Sequence, residues 1–176
     1  NPLGMAGWRF MFLAEALPIA RLHKPECADL NVAQRGLLGE MGWFALAVPE
    51  SAGGSGLSAI EHALFFREAG RQCAPVDLLA QCLAANCTND ADLRAALIAG
   101  TQGAALLIAD GEHLRLLGSS DAAWALLVSE EQASLHALAA TGLSPRPALD
   151  PANSMRLLAA LPPAELERLL KPANQE

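Results

Sequence analysis

Several clusters in this chain carry residue types that could do chemistry. Gly53-Gly54-Ser55-Gly56 stands ahead of a helix start, where loop amides and the positive helix end favour anions, so the run could cradle a phosphate. It lacks a P-loop lysine and GxGxxG spacing, and it follows a helix and a short apolar run where the dinucleotide motif needs a βαβ unit. Its glycines read as conformational punctuation, because glycine reaches positive φ at a tight reversal. Glu61 and Glu68 lie seven residues apart on one helix and share a face, as a carboxylate pair for proton transfer would, but capping already accounts for Glu61. His23, His62, His113 and His136 have no partner His or Cys at metal spacing. Cys27, Cys73, Cys82 and Cys87 form no CxxC pair and read as buried free thiols in a reducing compartment. Ser51, Ser119 and Ser120 fall in loops without the G-x-S-x-G elbow of a nucleophilic serine. The residues themselves therefore nominate no catalytic group and no metal ligand, and leave cofactor contacts unknown.

The elements that must position such groups follow from composition and punctuation. At 176 residues, 52% hydrophobic and 18% charged, the chain can bury a core without disulfides, and its wealth of Ala and Leu favours close-packed helices. The net charge of −7, with 12 scattered Lys and Arg, provides no phosphate-backbone footprint and argues against a nucleic-acid partner. Arg9, Glu15, Pro18 and Arg21 interrupt the apolar stretch 5–22 too often for a membrane span or signal segment, so a soluble, cytoplasmic protein is expected.

The apolar spacing predicts a helix over 8–17, bent near Pro18, and a second from Asn31 as N-cap to Gly42, with Leu37, Leu38 and Met41 inward. Ser58-Ala59-Ile60-Glu61 is a capping box that starts a helix with Ile60, Leu64 and Ala69 inward, running to about Gln72. Another helix after Pro75 carries Leu79, Cys82, Leu83 and Asn86 along one side, and a fifth, capped by Asn89 with Leu93 and Leu97 inward, stops at Gly100. Beyond Gly100 the period shortens. Strands are expected over 104–108, 113–116, 124–128 and, more weakly, 134–138, with Asp110-Gly111 as a two-residue hairpin signal. Residues 155–161 fit either a strand or a helical turn, and Pro163 starts a short amphipathic helix with Leu166, Leu169 and Leu170. The class is α+β: an N-terminal all-α helical bundle over 1–100, followed by a small antiparallel β-domain with a short C-terminal helix over 101–176.

Certain runs carry a resemblance. Phe12-Leu13-Ala14-Glu15-Ala16-Leu17-Pro18, Leu38-Gly39-Glu40-Met41-Gly42-Trp43, Val48-Pro49-Glu50, and Gly53-Gly54-Ser55-Gly56-Leu57-Ser58, continued by Glu61, Glu68-Ala69-Gly70-Arg71 and Ala74-Pro75, resemble the N-terminal helical domain of acyl-CoA dehydrogenases. In outline, residues 100–161 look like that family's middle β-domain: 123–128 resembles its A-D-x-L-L-V strand, and Leu149-Asp150-Pro151 its L-D-x-T-R segment. The resemblance implies an FAD enzyme of lipid metabolism, an oligomeric flavoprotein oxidoreductase that removes α and β hydrogens from an acyl-CoA thioester.

Two departures qualify the expectation. Gly118-Ser119-Ser120-Asp121 is similar to the end of the family's flavin-contacting loop, but no Thr-Glu-Pro run precedes it. The family's catalytic glutamate belongs to a C-terminal helical domain that has no counterpart in these 176 residues. The expectation is therefore a part, or a short subunit, of such an enzyme in a homo- or hetero-oligomer, with another chain supplying the C-terminal helices and this chain not catalytically complete alone. The alternative is a catalytically silent assembly subunit that binds neither FAD nor acyl-CoA.

Overall fold

The computed structural model describes residues 29–71, 74–110, 113–128, 132–138, 143–146 and 155–158. The expected helices over 8–17 and after Pro163 lie outside them, as do Cys27, Cys73 and His23.

Side chains that satisfy orphan amides set the helix boundaries. Helix α1 (Val32–Glu40) starts at Asn31, whose side chain accepts from the Gln34 amide while Gln34 reaches back to the Asn31 amide. It ends as foreseen at Gly42, which has φ +77. Two short 3-10 turns, Trp43–Ala45 and Glu50–Ala52, follow. Helix α2 (Ala59–Arg71) opens on the expected box: Ser58 donates its amide to Glu61 at 2.8 Å, and Ser58 Oγ accepts the Glu61 amide at 3.4 Å. Helix α3 (Val76–Cys87) follows Pro75. Helix α4 (Ala91–Ile98) is capped by Asp90, whose carboxylate accepts from the Asp92 and Leu93 amides. Asn89, the cap expected from sequence, stands one residue too early to reach them.

The inward faces differ from the expected stripes. On α2 the structure buries His62, Phe65 and Ala69 and leaves Ile60 74% exposed. The reason is aromatic: Phe65 meets Trp43 edge-on at 5.2 Å and Phe66 at 5.1 Å, and these large rings set the rotation of the helix. On α1 only Leu38 of the expected trio is buried, and Arg35 turns inward with it while Leu37 is half exposed. On α3 the core takes Asp77, Leu78, Gln81, Cys82, Ala84 and Ala85, with Asn86 outside.

Behind the helices stands one six-stranded sheet in the order β4-β3-β1-β2-β6-β5, from β1 (Ala104–Asp110), β2 (His113–Leu117), β3 (Trp124–Val128), β4 (Ala133–Ala137), β5 (Leu143–Arg146) and β6 (Met155–Leu158). Strands β1 and β2 pair antiparallel as expected, with Asp110, read from sequence as part of the turn, paired to His113 at the end of β1; the connecting residues lie outside the described ones. The stretch that fitted strand or helix is strand β6, and it recruits β5, an edge strand not foreseen, whose Pro145 suits an edge because it has no amide to donate.

The sheet is antiparallel at every pairing except one, since β1 and β3 run parallel, Ala104 opposite Trp124. The chain leaves β2 at the end where β1 began and passes beneath it, with the Ala123 and Trp124 amides donating to the Gly103 carbonyl. It must therefore enter β3 in the direction of β1.

Both sheet faces are apolar, which explains the unbroken hydrophobic runs. Ala104, Leu126 and Leu135 pack with Ala84, Ala85, Leu97 and Val48. Ala105, Leu107, Leu114, Leu116, Ala125 and Leu127 form the opposite cluster. One buried amide side chain ties the layers together. Gln81 Nε2 donates to the Leu97 and Gln102 carbonyls at 2.8 Å, and its oxygen accepts the Ala104 amide at 2.9 Å, so α3, α4 and β1 share a single fully satisfied group.

Two glycines of α1 test this packing. A Cβ at Gly39 would stand 2.5 Å from the Ala99 carbonyl oxygen, whereas a Cβ at Gly36 meets nothing within 4 Å. Gly36→Ala is expected to stabilise by about 0.5–1 kcal/mol through helix propensity. Gly39→Ala is expected to destabilise by about 2–3 kcal/mol through overpacking. Urea unfolding of both variants checks the contrast.

Candidate functional site

The glycine-rich turn ahead of α2 has no donors to spare. The Gly53 amide donates to the Glu50 carbonyl, Gly54 to Pro49, Ser55 to Ala45, Gly56 to Val48 and Leu57 to Leu46. Gly53 and Gly56 hold φ +86 and +62, so the run is a folded reversal and no anion cradle, in line with its reading as punctuation. Glu61 is held by its cap, and Glu68 lies between Arg67 and Arg71, whose hydrogen bonds and charges keep its carboxyl below the usual range. The two acids are not a proton-transfer pair.

His62 is buried against Phe66, and His136 shares a 2.8 Å hydrogen bond with Ser134; burial holds both imidazoles below their ordinary value. Cys82 is buried, its thiol facing the Trp43 carbonyl at 3.4 Å, and Cys87 is half-buried. Desolvation pushes both thiols up and away from reactivity.

The structure brings together Arg35, Asp77 and Arg156, which sequence patterns pass over, with the run Gly118-Ser119-Ser120-Asp121. They form a polar joint where the start of α3, the middle of α1 and strand β6 meet the turn 118–121 between β2 and β3. Arg35, 4% exposed, donates Nη1 and Nη2 to the two carboxylate oxygens of Asp121 at 3.2 and 3.0 Å, and Nε to the Gly100 carbonyl at 3.0 Å. The Arg35 bonds lower the Asp121 carboxyl, with Ser119 Oγ also donating to it. Asp77 accepts the Leu30 and Ser119 amides, each at 2.9 Å. From β6, Arg156 donates to the carbonyls of Ser119 and Ser120, the former at 2.5 Å.

Gly118-Ser119-Ser120-Asp121, the run similar to a flavin-contacting loop, is thus engaged inside the protein at the Ser119 amide, two carbonyls, a hydroxyl and a carboxylate. Gly118 is itself closed off, because a Cβ there would stand 2.0 Å from Asp77 Oδ1. Neither this turn nor the run 53–56 fits a flavin or its phosphates. The one sequence signal that pointed to the joint is the spacing of Arg35 three residues before Leu38, which places an arginine on the buried stripe of α1.

Residues 11–95 match the family model described as the acyl-CoA dehydrogenase N-terminal domain. Over those residues the chain is similar to that domain. A Mycobacterium smegmatis chain described as an acyl-CoA dehydrogenase, solved from an iodide-soaked crystal, superposes with 16% identity and a TM-score of 0.49, over 85% of this chain and 50% of its own length. The present chain therefore spans half the length of that protein. No curated protein matches it in sequence. The acyl-CoA dehydrogenase match covers α1 to α3 and enters α4. Among the described residues no helix is long and apolar enough to cross a membrane.

The joint makes a prediction that surface exposure alone would miss. Asp121 is 38% exposed, yet removing it strands a buried guanidinium. Asp121→Ala is expected to cost about 2–3 kcal/mol, somewhat less than breaking a fully buried pair because water reaches the Asp121 side. Glu68→Ala, which removes an exposed pairing, is expected to leave the unfolding midpoint unchanged. Denaturant titration of the two variants side by side checks this.

Proposed function

We propose that this chain forms the N-terminal and middle portion of a flavin-dependent acyl-CoA dehydrogenase, in which an acyl-CoA thioester is oxidised between its α and β carbons. The observation that carries the proposal is the match over 11–95, followed directly by an apolar sheet docked on the same helices. On this reading, 1–100 is the helical domain and 101–176 a reduced middle β-domain.

Abstraction of an α proton needs a carboxylate free to approach the substrate carbon. The acids in or beside the packed core are committed elsewhere: Glu61 to a cap, Glu68 to two arginines, Asp90 to a cap, Asp121 to Arg35 and Asp77 to two backbone amides. The two turns that could have held a flavin have their groups engaged as well. We therefore assign the proton-removing base and the flavin contacts to a further helical unit joined to this one in an oligomer, and the contribution of this chain to a wall of the acyl-CoA cavity.

The test is reconstitution. The polypeptide alone is expected to be colourless and inactive, and its complex with a chain bearing the C-terminal acyl-CoA dehydrogenase bundle to gain flavin absorbance and oxidise a thioester. A stable complex that never acquires affinity for FAD or acyl-CoA would identify an assembly subunit instead. Flavin retention and turnover by the polypeptide alone would overturn the division of labour.

A further inference from the structure

Helix α2 is seated on the fold by one edge and leaves the other in water. The buried edge is His62, Phe65 and Ala69, of which Phe65 and Ala69 join the cluster of Leu38, Trp43 and Leu78. The opposite edge carries Ile60, Ala63, Leu64, Arg67, Gly70 and Arg71 on successive turns, all exposed. Ile60, at 74%, is the most exposed large apolar side chain among the described residues, and Leu64, one turn on, is 37% exposed. A single apolar residue in water is ordinary, but neighbours at i and i+4 with an exposed alanine beside them make a contiguous patch. Nothing lies within 4 Å of a Cβ built at Gly70, so the far end of the edge is open as well.

The charges around the patch point to its occupant. Glu61 and Arg67 stand three residues before and three residues after Leu64. Two copies of α2 laid antiparallel across a two-fold axis at Leu64 therefore bring Glu61 of each copy opposite Arg67 of the other, twice by symmetry. A parallel pairing would instead set Glu61 against Glu61 and Arg67 against Arg67, which repel. The cap at Ser58 uses Oε2 of Glu61, and the pairing with Glu68 uses Nε and Nη2 of Arg67, so Oε1 and Nη1 lie outside those bonds.

Packing follows the same register. Ile60 of one copy meets the hole between Leu64, Arg67, Glu68 and Arg71 of the other, the i, i+3, i+4, i+7 set that receives a side chain when helices pair. Arginine stems can cover an isoleucine while their heads stay in water. The net charge also singles out this helix. The chain carries −7, so two copies repel on average, whereas α2 balances Glu61 and Glu68 with Arg67 and Arg71.

We infer that the outer edge of α2 is a self-association surface, on which two copies of this chain pair antiparallel about Leu64. One helix pair buries less than a standard interface, so the dimer is expected to be weak, with a Kd on the order of 10–500 µM.

Sedimentation velocity of the full chain, from about 10 µM to about 1 mM, tests the pairing. The average mass should rise from one chain toward two, and the rise should weaken in high salt, which screens exposed ion pairs. Leu64→Asp and Arg67→Glu, both at exposed positions, should each raise the Kd about tenfold or more. Val32→Asp, which alters an exposed apolar residue of α1, should leave it unchanged. The geometry itself is tested by a charge exchange. Glu61→Lys and Arg67→Glu should each self-associate poorly, but an equal mixture of the two should recover association, because the cross-pair sets Lys against Glu at one contact and Glu against Arg at the other. A chain that stays monomeric at the highest concentration leaves the face to a partner of another kind and overturns the pairing. A dimer indifferent to Leu64→Asp or Arg67→Glu, or a mixture that gains nothing, overturns it too. Should Glu61→Lys not fold for want of its cap, the other three variants decide alone. None of these readouts involves flavin or thioester, so the pairing and the proposed activity can fail separately.

Discussion

Burying one guanidinium is the constraint around which this fold is arranged. Arg35 lies on the inner stripe of α1 at 4% exposure, and removing an arginine from water is expensive unless every donor finds a partner. Its three hydrogen bonds go to two places: the Gly100 carbonyl at the end of α4, and both oxygens of Asp121 beyond β2. The surrounding backbone is drawn in to match. A Cβ at Gly100 would stand 2.4 Å from the Arg35 carbonyl oxygen, and one at Gly103 would stand 2.9 Å from the guanidinium carbon. Gly103 and an acid far away in sequence are thereby explained by one side chain, and Gly100 by the backbone of the same residue. The ion pair need not add net stability over an apolar pair, but once present it excludes any docking of the sheet that leaves the guanidinium unpaired.

The same joint accounts for the chain path. The turn 118–121 carries the backbone beneath β1, so that β3 can add to the sheet parallel to it. A turn in that position buries its own amides and carbonyls, and each needs a partner. Asp77 takes the Ser119 amide, and Arg156 covers the carbonyls of Ser119 and Ser120 from β6. Polar residues deep in the molecule are thus the means by which an irregular crossing is made tolerable between two apolar layers. That use consumes the groups which, in an otherwise similar loop, could have faced a cofactor.

Sequence patterns located the element ends well and the element faces poorly, for a physical reason. Ends are decided by a few local groups, such as Asn31, the Ser58 and Glu61 pair, Gly42 and Gly100, whose hydrogen bonds or positive φ act within one turn of chain. Faces are decided by contacts across the fold. In helices this rich in Ala and Leu, more than one stripe is apolar enough to turn inward, and large distant partners choose among them. Trp43 draws Phe65 inward and leaves Ile60 in water, while Asp121 draws Arg35 in and leaves Leu37 half exposed. The parallel β1–β3 pair was equally beyond local reading, since strand direction depends on which side of β1 the crossing emerges. Of the joint's own acids, Asp77 carries no motif, and the run that holds Asp121 pointed to a cofactor and not to Arg35. They are recognisable only once the turn they hold is seen.

The two acids of the joint also divide its behaviour. Asp121 sits at the rim beside the Arg35 guanidinium, which stabilises its charge and holds its carboxyl below the ordinary range. Asp77 lies deeper, with backbone dipoles in place of a cation, and those dipoles do not outweigh the loss of water. The surroundings therefore favour the charged form of Asp121, while burial works against that of Asp77. Exchanging their surroundings would exchange their roles. Loss of Arg35 would leave Asp121 without its cation, and it is the unequal access to positive charge on the two sides of the turn that separates the two acids.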